Sequence, residues 1–245
     1  MELKENERID DLEYKGLKII QNKDGFCFGV DSILLSDYAK KIKKNAKVID
    51  IGTGTGIIAL LLCKKIELYK IYGIEVQKEV AEMAGRSVIL NNLQNKFEII
   101  NTNIKNIFEV LEPHEFDAIV TNPPYKKIDT GLKNYEKKQL VSRHEVECTL
   151  EDIIEQSSKL LKDLGEFYMV HRAERLVDIM CILRKYKLEP KNIRFVHSKV
   201  GDKPNLILIR AVRGAKEYLK IDKPLIIYKD NGEYTDEIKQ IYNKK

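Results

Sequence analysis

Long hydrophobic runs are missing from this 245-residue chain. No stretch approaches the ~18 continuous apolar residues of a membrane-spanning helix, and none is expected to cross a bilayer. The N-terminus, Met1 to Asp11, is polar and acidic and does not read as a signal peptide. Cysteine is scarce and scattered: Cys27, Cys63, Cys148 and Cys181 form no C-x-x-C pair. They read as small buried apolar side chains in a reduced, cytoplasmic protein, not as disulfide partners or metal ligands. His144-Glu145-Val146-Glu147-Cys148 gathers ligand-type atoms but fits no metal-ligand spacing, so no metal is expected. Internal repeats and low-complexity linkers are absent. Arginine is sparse, 9 of the 43 basic residues, and the net charge is only +5. That mild surplus excludes a strongly cationic tail protein and leaves an anionic partner possible only where the charge is concentrated.

The hydrophobic fraction of 43% and charged fraction of 33% belong to a globular chain able to bury a full core. Short apolar runs alternate with helical patterns along it. Lys47–Ile51, Lys70–Glu75, Phe97–Ile100, Phe116–Thr121 and Glu166–Val170 read as strands, with Asn192–His197 and Leu206–Val212 as a late pair. Between them, Ile57–Ile66, Val76–Asn92, Leu150–Leu164 (ended by Gly165) and Arg172–Tyr186 carry helical spacing. Leu17–Phe28 is expected to form a small hairpin turning at Asp24-Gly25, followed by a helix from about Ser32 to Lys44. Pro224–Tyr228 reads as an outer strand. The expected architecture is α/β: seven strands, mostly parallel with the last one antiparallel, covered by helices on both faces. Residues 1–46 form an N-terminal hairpin and helix, 47–213 the main domain, and 214–245 a short extension packed on it.

Asp50-Ile51-Gly52-Thr53-Gly54-Thr55-Gly56 places three glycines at alternate positions where the first strand hands over to a helix. Glycine admits unusual backbone angles there and lets main-chain atoms approach a ligand. The spacing is neither the G-x-G-x-x-G dinucleotide fingerprint nor a Walker loop, which needs Gly-Lys-Ser/Thr. It resembles the D-x-G-x-G-x-G loop of S-adenosylmethionine (SAM) dependent methyltransferases. Glu75 ends the second strand, 19 residues beyond Gly56. Its carboxylate has the acceptors to take both ribose hydroxyls of a nucleoside. In that superfamily the third strand commonly ends in an acid that binds the adenine amino group; here Asn103 stands in its place, with an uncharged amide oxygen.

Thr121-Asn122-Pro123-Pro124-Tyr125 is the most informative stretch. Consecutive prolines fix φ and remove two N–H donors, so the turn presents acceptors: the Asn122 side-chain oxygen and the Pro123 carbonyl. Two acceptors aimed at one point suit a planar –NH₂ whose lone pair is delocalised. They stabilise the more tetrahedral, positive nitrogen that forms as it attacks a methyl group. Tyr125 is placed to stack on a planar base. The tetrapeptide resembles the [DNS]-P-P-[YFW] motif of methyltransferases for exocyclic amino groups, a set that includes adenine-N6, guanine-N2 and glutamine-amide enzymes.

Phe28-Gly29-Val30-Asp31-Ser32-Ile33-Leu34-Leu35, N-P-P-Y, Arg143-His144-Glu145 and the tail from Asn205 through Pro224–Tyr228 to Asn231–Thr235 together resemble one family. It is the bacterial tRNA1(Val) adenine-N6 methyltransferases, and the resemblance runs from about Arg8 to Tyr242. It implies a Rossmann-like class I methyltransferase fold, SAM as cofactor and tRNA as partner. The sequence leaves the oligomeric state open, with a monomer slightly favoured. On it Asp31, Asp50, Gly52, Thr53, Gly54, Gly56, Glu75, Asn103 and Asn122 would hold the cofactor, and Asn122, Pro123 and Tyr125 the target adenine. A plainer role for Asp31 is to cap the helix that follows. Independently of the family, Lys126, Lys127, Lys133, Lys137, Lys138 and Arg143 give the segment 126–143 a net +4, directly after the acceptor turn. Such a segment is expected to contact RNA phosphates. Competing readings are a glutamine-N5 protein methyltransferase, a guanine-N2 rRNA enzyme and, least, an RNA-binding module without activity. The first normally carries a large helical substrate domain ahead of the cofactor loop, whereas 49 residues precede Asp50 here.

Overall fold

The computed structural model describes residues 3–23, 29–125 and 148–243. It opens with an antiparallel hairpin in which β1 (Glu7–Asp11) pairs with β2 (Lys18–Asn22). The chain reverses between them, where Glu13, Lys15 and Gly16 take φ of 51°, 48° and 71°. This corrects the expected hairpin over Leu17–Phe28: the Leu17 segment is the second strand, and its partner lies upstream. Asp24-Gly25 falls outside the described residues. β1 carries no hydrophobic signal because its one apolar residue, Ile9, is 43% exposed, so no buried face imposes alternation.

The hairpin is fixed by polar contacts to a helix further along. After α1 (Val30–Tyr38) come β3 (Lys47–Ile51), α2 (Ile57–Lys65), β4 (Lys70–Glu75) and α3 (Lys78–Leu90). The Ile20 amide of β2 donates to Ser87 Oγ on α3 at 3.0 Å, and the Lys18 amide donates to Asn91 Oδ1 at 2.9 Å. Buried Glu7 accepts from the Arg86 guanidinium through both carboxylate oxygens, and this pairing holds its carboxyl down at about 2. A depressed carboxyl stabilises the fold above its unfolded value of 4.5 and ceases to do so as pH falls toward 2. Glu7→Gln, which removes the buried carboxylate from Arg86 and leaves it only the more exposed Glu82, is therefore expected to cost about 2 kcal/mol at neutral pH. In urea melts its difference from wild type should shrink steadily as pH falls below the ordinary carboxyl range.

β5 (Phe97–Asn101), β6 (Phe116–Thr121), α4 (Leu150–Leu160), β7 (Leu161–Arg172), α5 (Leu176–Lys185), β8 (Leu188–His197) and β9 (Pro204–Arg213) follow, then β10 (Lys220–Ile221), β11 (Leu225–Ile226) and α6 (Asp236–Ile241). The main sheet has the order β10-β8-β9-β7-β6-β3-β4-β5, and β11 also pairs with β8. β3 to β7 are parallel, while β9 runs antiparallel to both β7 and β8. This is the expected α/β fold with its antiparallel final strand, widened by two short strands at the edge.

Alternation along the strands divides the core. Val48, Ala118, Val120, Tyr168 and Val170 face α1 and α2, whereas Ile49, Ile119, Phe167 and Met169 face α4 and α5. A strand buried on both faces needs apolar residues at every position, which explains the continuous runs read in the sequence. The expected helix to Leu164 is corrected: it stops at Leu160, because Leu161 already pairs with Phe116. Register then shifts, Leu164 takes φ 59°, and pairing resumes at Glu166. A Cβ on Gly165 would lie 2.9 Å from the Lys162 carbonyl, so this glycine serves a strand irregularity and not a helix end. Likewise β8 begins at Leu188 and carries Pro190 at an irregularity of its register, and residues 173–175 form a 3₁₀ turn before α5. Among the described residues no helix is long and apolar enough to cross a membrane.

Candidate active site

Strand order reverses direction at β3: β4 and β5 extend the sheet one way, β6 and β7 the other. Open α/β sheets bind ligands in the crevice beyond such a switch, at the carboxyl ends of the strands. Ile51 lies opposite Thr121, and the Thr121 hydroxyl donates to the Ile51 carbonyl at 2.9 Å. The glycine loop and the Asn122 turn therefore leave neighbouring strands side by side.

In the loop Gly52, Gly54 and Gly56 take φ of 70°, 56° and 90°, which any side chain would strain. A Cβ on Gly52 or Gly54 would meet no atom within 4 Å, so open space lies over these two residues; on Gly56 it would press on the Phe97 ring at 3.2 Å. The amides of Gly52 and Thr53 both donate to the Ile74 carbonyl, at 2.9 and 3.0 Å. Glu75, 6% exposed, accepts from the Gly54 amide at 3.0 Å and from the Gln77 amide at 2.9 Å. Two amides occupy only half the acceptor capacity of a carboxylate, leaving sites for a pair of hydroxyls. An open glycine cradle beside a carboxylate with spare acceptors fits the nucleoside end of SAM.

Asp50 is fully buried and accepts from the Thr53 hydroxyl at 2.8 Å. Burial pushes its carboxyl up to about 7; the Glu75 carboxylate adds to the rise, while the Thr53 hydroxyl and Ala59 amide oppose it. Ionising Asp50 therefore weakens the empty fold as pH rises toward 7, and a cationic ligand nearby reverses that penalty. Affinity for SAM is expected to rise about fivefold from about pH 6 to about 7.5. Asp50→Asn should flatten this rise in titration calorimetry.

Asn103 flanks the same edge, but its Oδ1 accepts from the Lys105 amide at 3.0 Å and caps the 3₁₀ turn Ile104–Glu109. One lone pair of that oxygen remains for a ligand.

At the turn, Asn122 Nδ2 donates to Ser32 Oγ at 3.3 Å. The Tyr125 hydroxyl lies 2.8 Å from Asn122 Oδ1 and 2.5 Å from Asp31 Oδ2, one proton facing two acceptors. Burial and the Asp31 carboxylate both push the Tyr125 phenol up, so it stays protonated. Asp31 sits within the first turn of α1, whose N-cap is Gly29, so it is not the helix cap. The structure thus brings Asp31, Ser32, Asn122 and Tyr125 together across about ninety residues of sequence. Lys126, Lys127, Lys133, Lys137, Lys138, Arg143 and His144 lie outside the described residues.

Sequence reasoning missed two neighbours. His171 is buried, its ring centroid 5.2 Å from that of Tyr125, and its Nδ1 accepts from the Arg172 amide at 2.8 Å. Burial, with Arg175 and Arg172 adding, brings it down to about 4, so the imidazole is neutral with its proton on Nε2. The Arg172 guanidinium lies over the Tyr125 ring at 5.3 Å. Both end the strand that pairs with β6, and only that pairing, Thr121 opposite Met169, brings them beside Asn122. Among the described residues no group of three or more His, Cys, Asp or Glu is arranged to hold a metal.

Comparison with known proteins identifies the family and the fold. The family described as "Methyltransferase small domain" matches residues 28–186. A "tRNA1(Val) (adenine(37)-N6)-methyltransferase" of Porphyromonas gingivalis is 27% identical, over 93% of this chain and 91% of its own length. One of the same description from Pedobacter heparinus is 27% identical, over 92% of this chain and 93% of its own. Among solved structures, a predicted O-methyltransferase from Agrobacterium tumefaciens superposes with a TM-score of 0.70 at 18% identity, covering 87% of this chain and 95% of the other.

Proposed function

The chain belongs to the methyltransferase small domain family, and from that premise we propose that it methylates the exocyclic N6 amine of an adenine in a tRNA anticodon loop. It is a SAM-dependent methyltransferase. When bound, SAM supplies an electrophilic methyl group. The observation that carries the finer reading is the Asn122–Pro123 acceptor turn set on the strand next to the glycine loop. The relatives described as tRNA adenine-N6 methyltransferases support it across nine-tenths of the chain.

The residues divide the work. Gly52 and Gly54 keep the cradle open while Gly56 lets the loop close against Phe97, Glu75 accepts the ribose hydroxyls, and Asn103 receives the cofactor's amino group. Asp50 ties the loop to β3 through Thr53. Asn122 Oδ1 and the Pro123 carbonyl accept the two N–H bonds of the target amine. As those bonds tighten, the lone pair localises on nitrogen and charge develops where the acceptors already lie. In the structure the Tyr125 hydroxyl occupies Asn122 Oδ1. The incoming amine exchanges with it, and the freed hydroxyl keeps its bond to Asp31. The Tyr125 ring then stacks on the base, steadied by the tilted His171 ring packed against it. His171, neutral at physiological pH, positions and does not carry a proton.

The test offers labelled SAM with purified tRNA, rRNA and release-factor protein as separate acceptors. Label is expected in tRNA. Label confined to protein or to rRNA would overturn the proposal.

A further inference from the structure

We propose that the edge of the sheet beyond Arg172, built by the β8–β9 turn with Tyr228 beside it, is the surface along which unpaired RNA flanking the target nucleotide lies. The inference rests on the reading of the chain as a tRNA methyltransferase and adds the place where the RNA strand leaves the crevice. β9 is antiparallel to both β7 and β8, so β8 runs parallel to β7 and ends at the same edge as the Asn122 turn. Arg172 lies opposite Leu206, and Leu206 opposite Val196, a straight row across three strands. Two strand spacings make that row about 10 Å long. Beyond it the chain reverses through residues 198–203.

That turn is firmly built. The Lys199 amide donates to Asp202 Oδ2 at 3.1 Å, His197 Nδ1 lies 2.8 Å from the Asp202 carbonyl, and Asn205 Nδ2 donates to Ser198 Oγ at 2.8 Å. Asp202 is thus turned onto the backbone. Lys199 and Lys203 are exposed, with Val200 at the tip 77% exposed. Among the described residues no carboxylate pairs with Arg172, Lys199 or Lys203: the Lys199 ammonium reaches only the Asp230 carbonyl at 3.5 Å, and the Arg172 guanidinium only the Tyr125 ring. Three cations elsewhere on this side of the chain are paired in place, Lys105 by Asp152, Arg175 by Asp178 and Lys229 by Asp236; what sets Arg172, Lys199 and Lys203 apart is their position along the row that leads from the Asn122 turn. Tyr228 adjoins the turn through its amide, which donates to the Ser198 carbonyl at 2.8 Å. Its ring stacks on Tyr234 with centroids 5.3 Å apart and stays 37% exposed. Cations with no carboxylate partner among the described residues, leading out from the catalytic turn next to an exposed aromatic ring on a rigid backing, match the phosphates and splayed bases of a single-stranded RNA loop.

The experiment measures tRNA affinity of the full chain across a salt series, with tRNA methylation by the wild type as its first arm. Lys199→Ala/Lys203→Ala is expected to weaken tRNA binding about tenfold and to make the slope of log affinity against log salt shallower by about 1.5, since each phosphate contact contributes about 0.7–0.9. Its SAM affinity should stay unchanged, which shows that the variant is folded. Tyr228→Ala should weaken binding with the salt slope retained. Lys41→Ala/Lys44→Ala, the same charge change at the opposite edge of the sheet, should leave tRNA affinity within about twofold. The inference is overturned if wild type methylates tRNA while the Lys199/Lys203 variant keeps its affinity and slope, or if both double variants fall alike. A wild type that leaves tRNA unmethylated and labels protein instead overturns the functional reading itself.

Discussion

Asn122→Ala is expected to lower the rate of methyl transfer by about 10²–10³-fold, the scale seen when one preorganised polar group facing developing charge is removed. The side chain offers the acceptor for the reacting amine and makes no hydrogen bond to the glycine loop, so the rate should fall much further than SAM affinity. Its partners retain others: the Tyr125 hydroxyl keeps Asp31, and Ser32 Oγ, which accepts from Asn122, also bears a proton to donate. A loss of rate through unfolding is therefore not expected, and a melting curve checks it. Asn122→Asp keeps an acceptor at the same place and should retain more rate than the alanine variant. Single-turnover transfer at saturating SAM and tRNA is the measurement that isolates the step. Equal rates for the alanine variant and the wild type would remove Asn122 from the chemistry.

Glu75→Ala carries the second large effect, a loss of SAM affinity of at least about 100-fold. The carboxylate has two separable jobs. It offers acceptors for the ribose, and it holds the loop by accepting from the amides of Gly54 and Gln77. Hydrogen bonds to a charged acceptor contribute about 1.5–3 kcal/mol each, so two ribose contacts account for the expected loss. Removing the acceptor also strands two amides near the protein interior, and unfolding should become easier by about 1–2 kcal/mol. Glu75→Gln separates the jobs. Its amide oxygen can still hold one backbone amide, but its –NH₂ turns a donor toward a donor, so fold stability recovers more than affinity does. Calorimetric titration with SAM, beside urea melts of the three proteins, distinguishes the two contributions.

Much of this was legible in the sequence because it is local. β4 and β6 match the expected strands residue for residue, since both are apolar runs buried on two faces and bounded by polar turns. The glycine loop and N-P-P-Y could be read because their chemistry lies in residue types at fixed spacing. What stayed illegible depends on pairings distant in sequence. β1 is held by Glu7 on Arg86, a contact that no hydrophobic pattern announces. Gly165 looked like a helix end because a glycine after an amphipathic run is the usual signal, whereas strand pairing by Leu161 had already ended the helix. His171 and Arg172 join the site only because β7 lies next to β6. Asp31 meets Tyr125 because α1 packs over the end of the sheet, which its own sequence could not reveal.

The central claim is that Asn122 and Pro123 hold an exocyclic adenine amine. Its most direct measurement is nucleoside analysis of tRNA labelled by this protein, starting from tRNA of cells that lack the modification. The account predicts N6-methyladenosine, with label lost in the Asn122→Ala variant. N1-methyladenosine or N2-methylguanosine as the labelled product would contradict it.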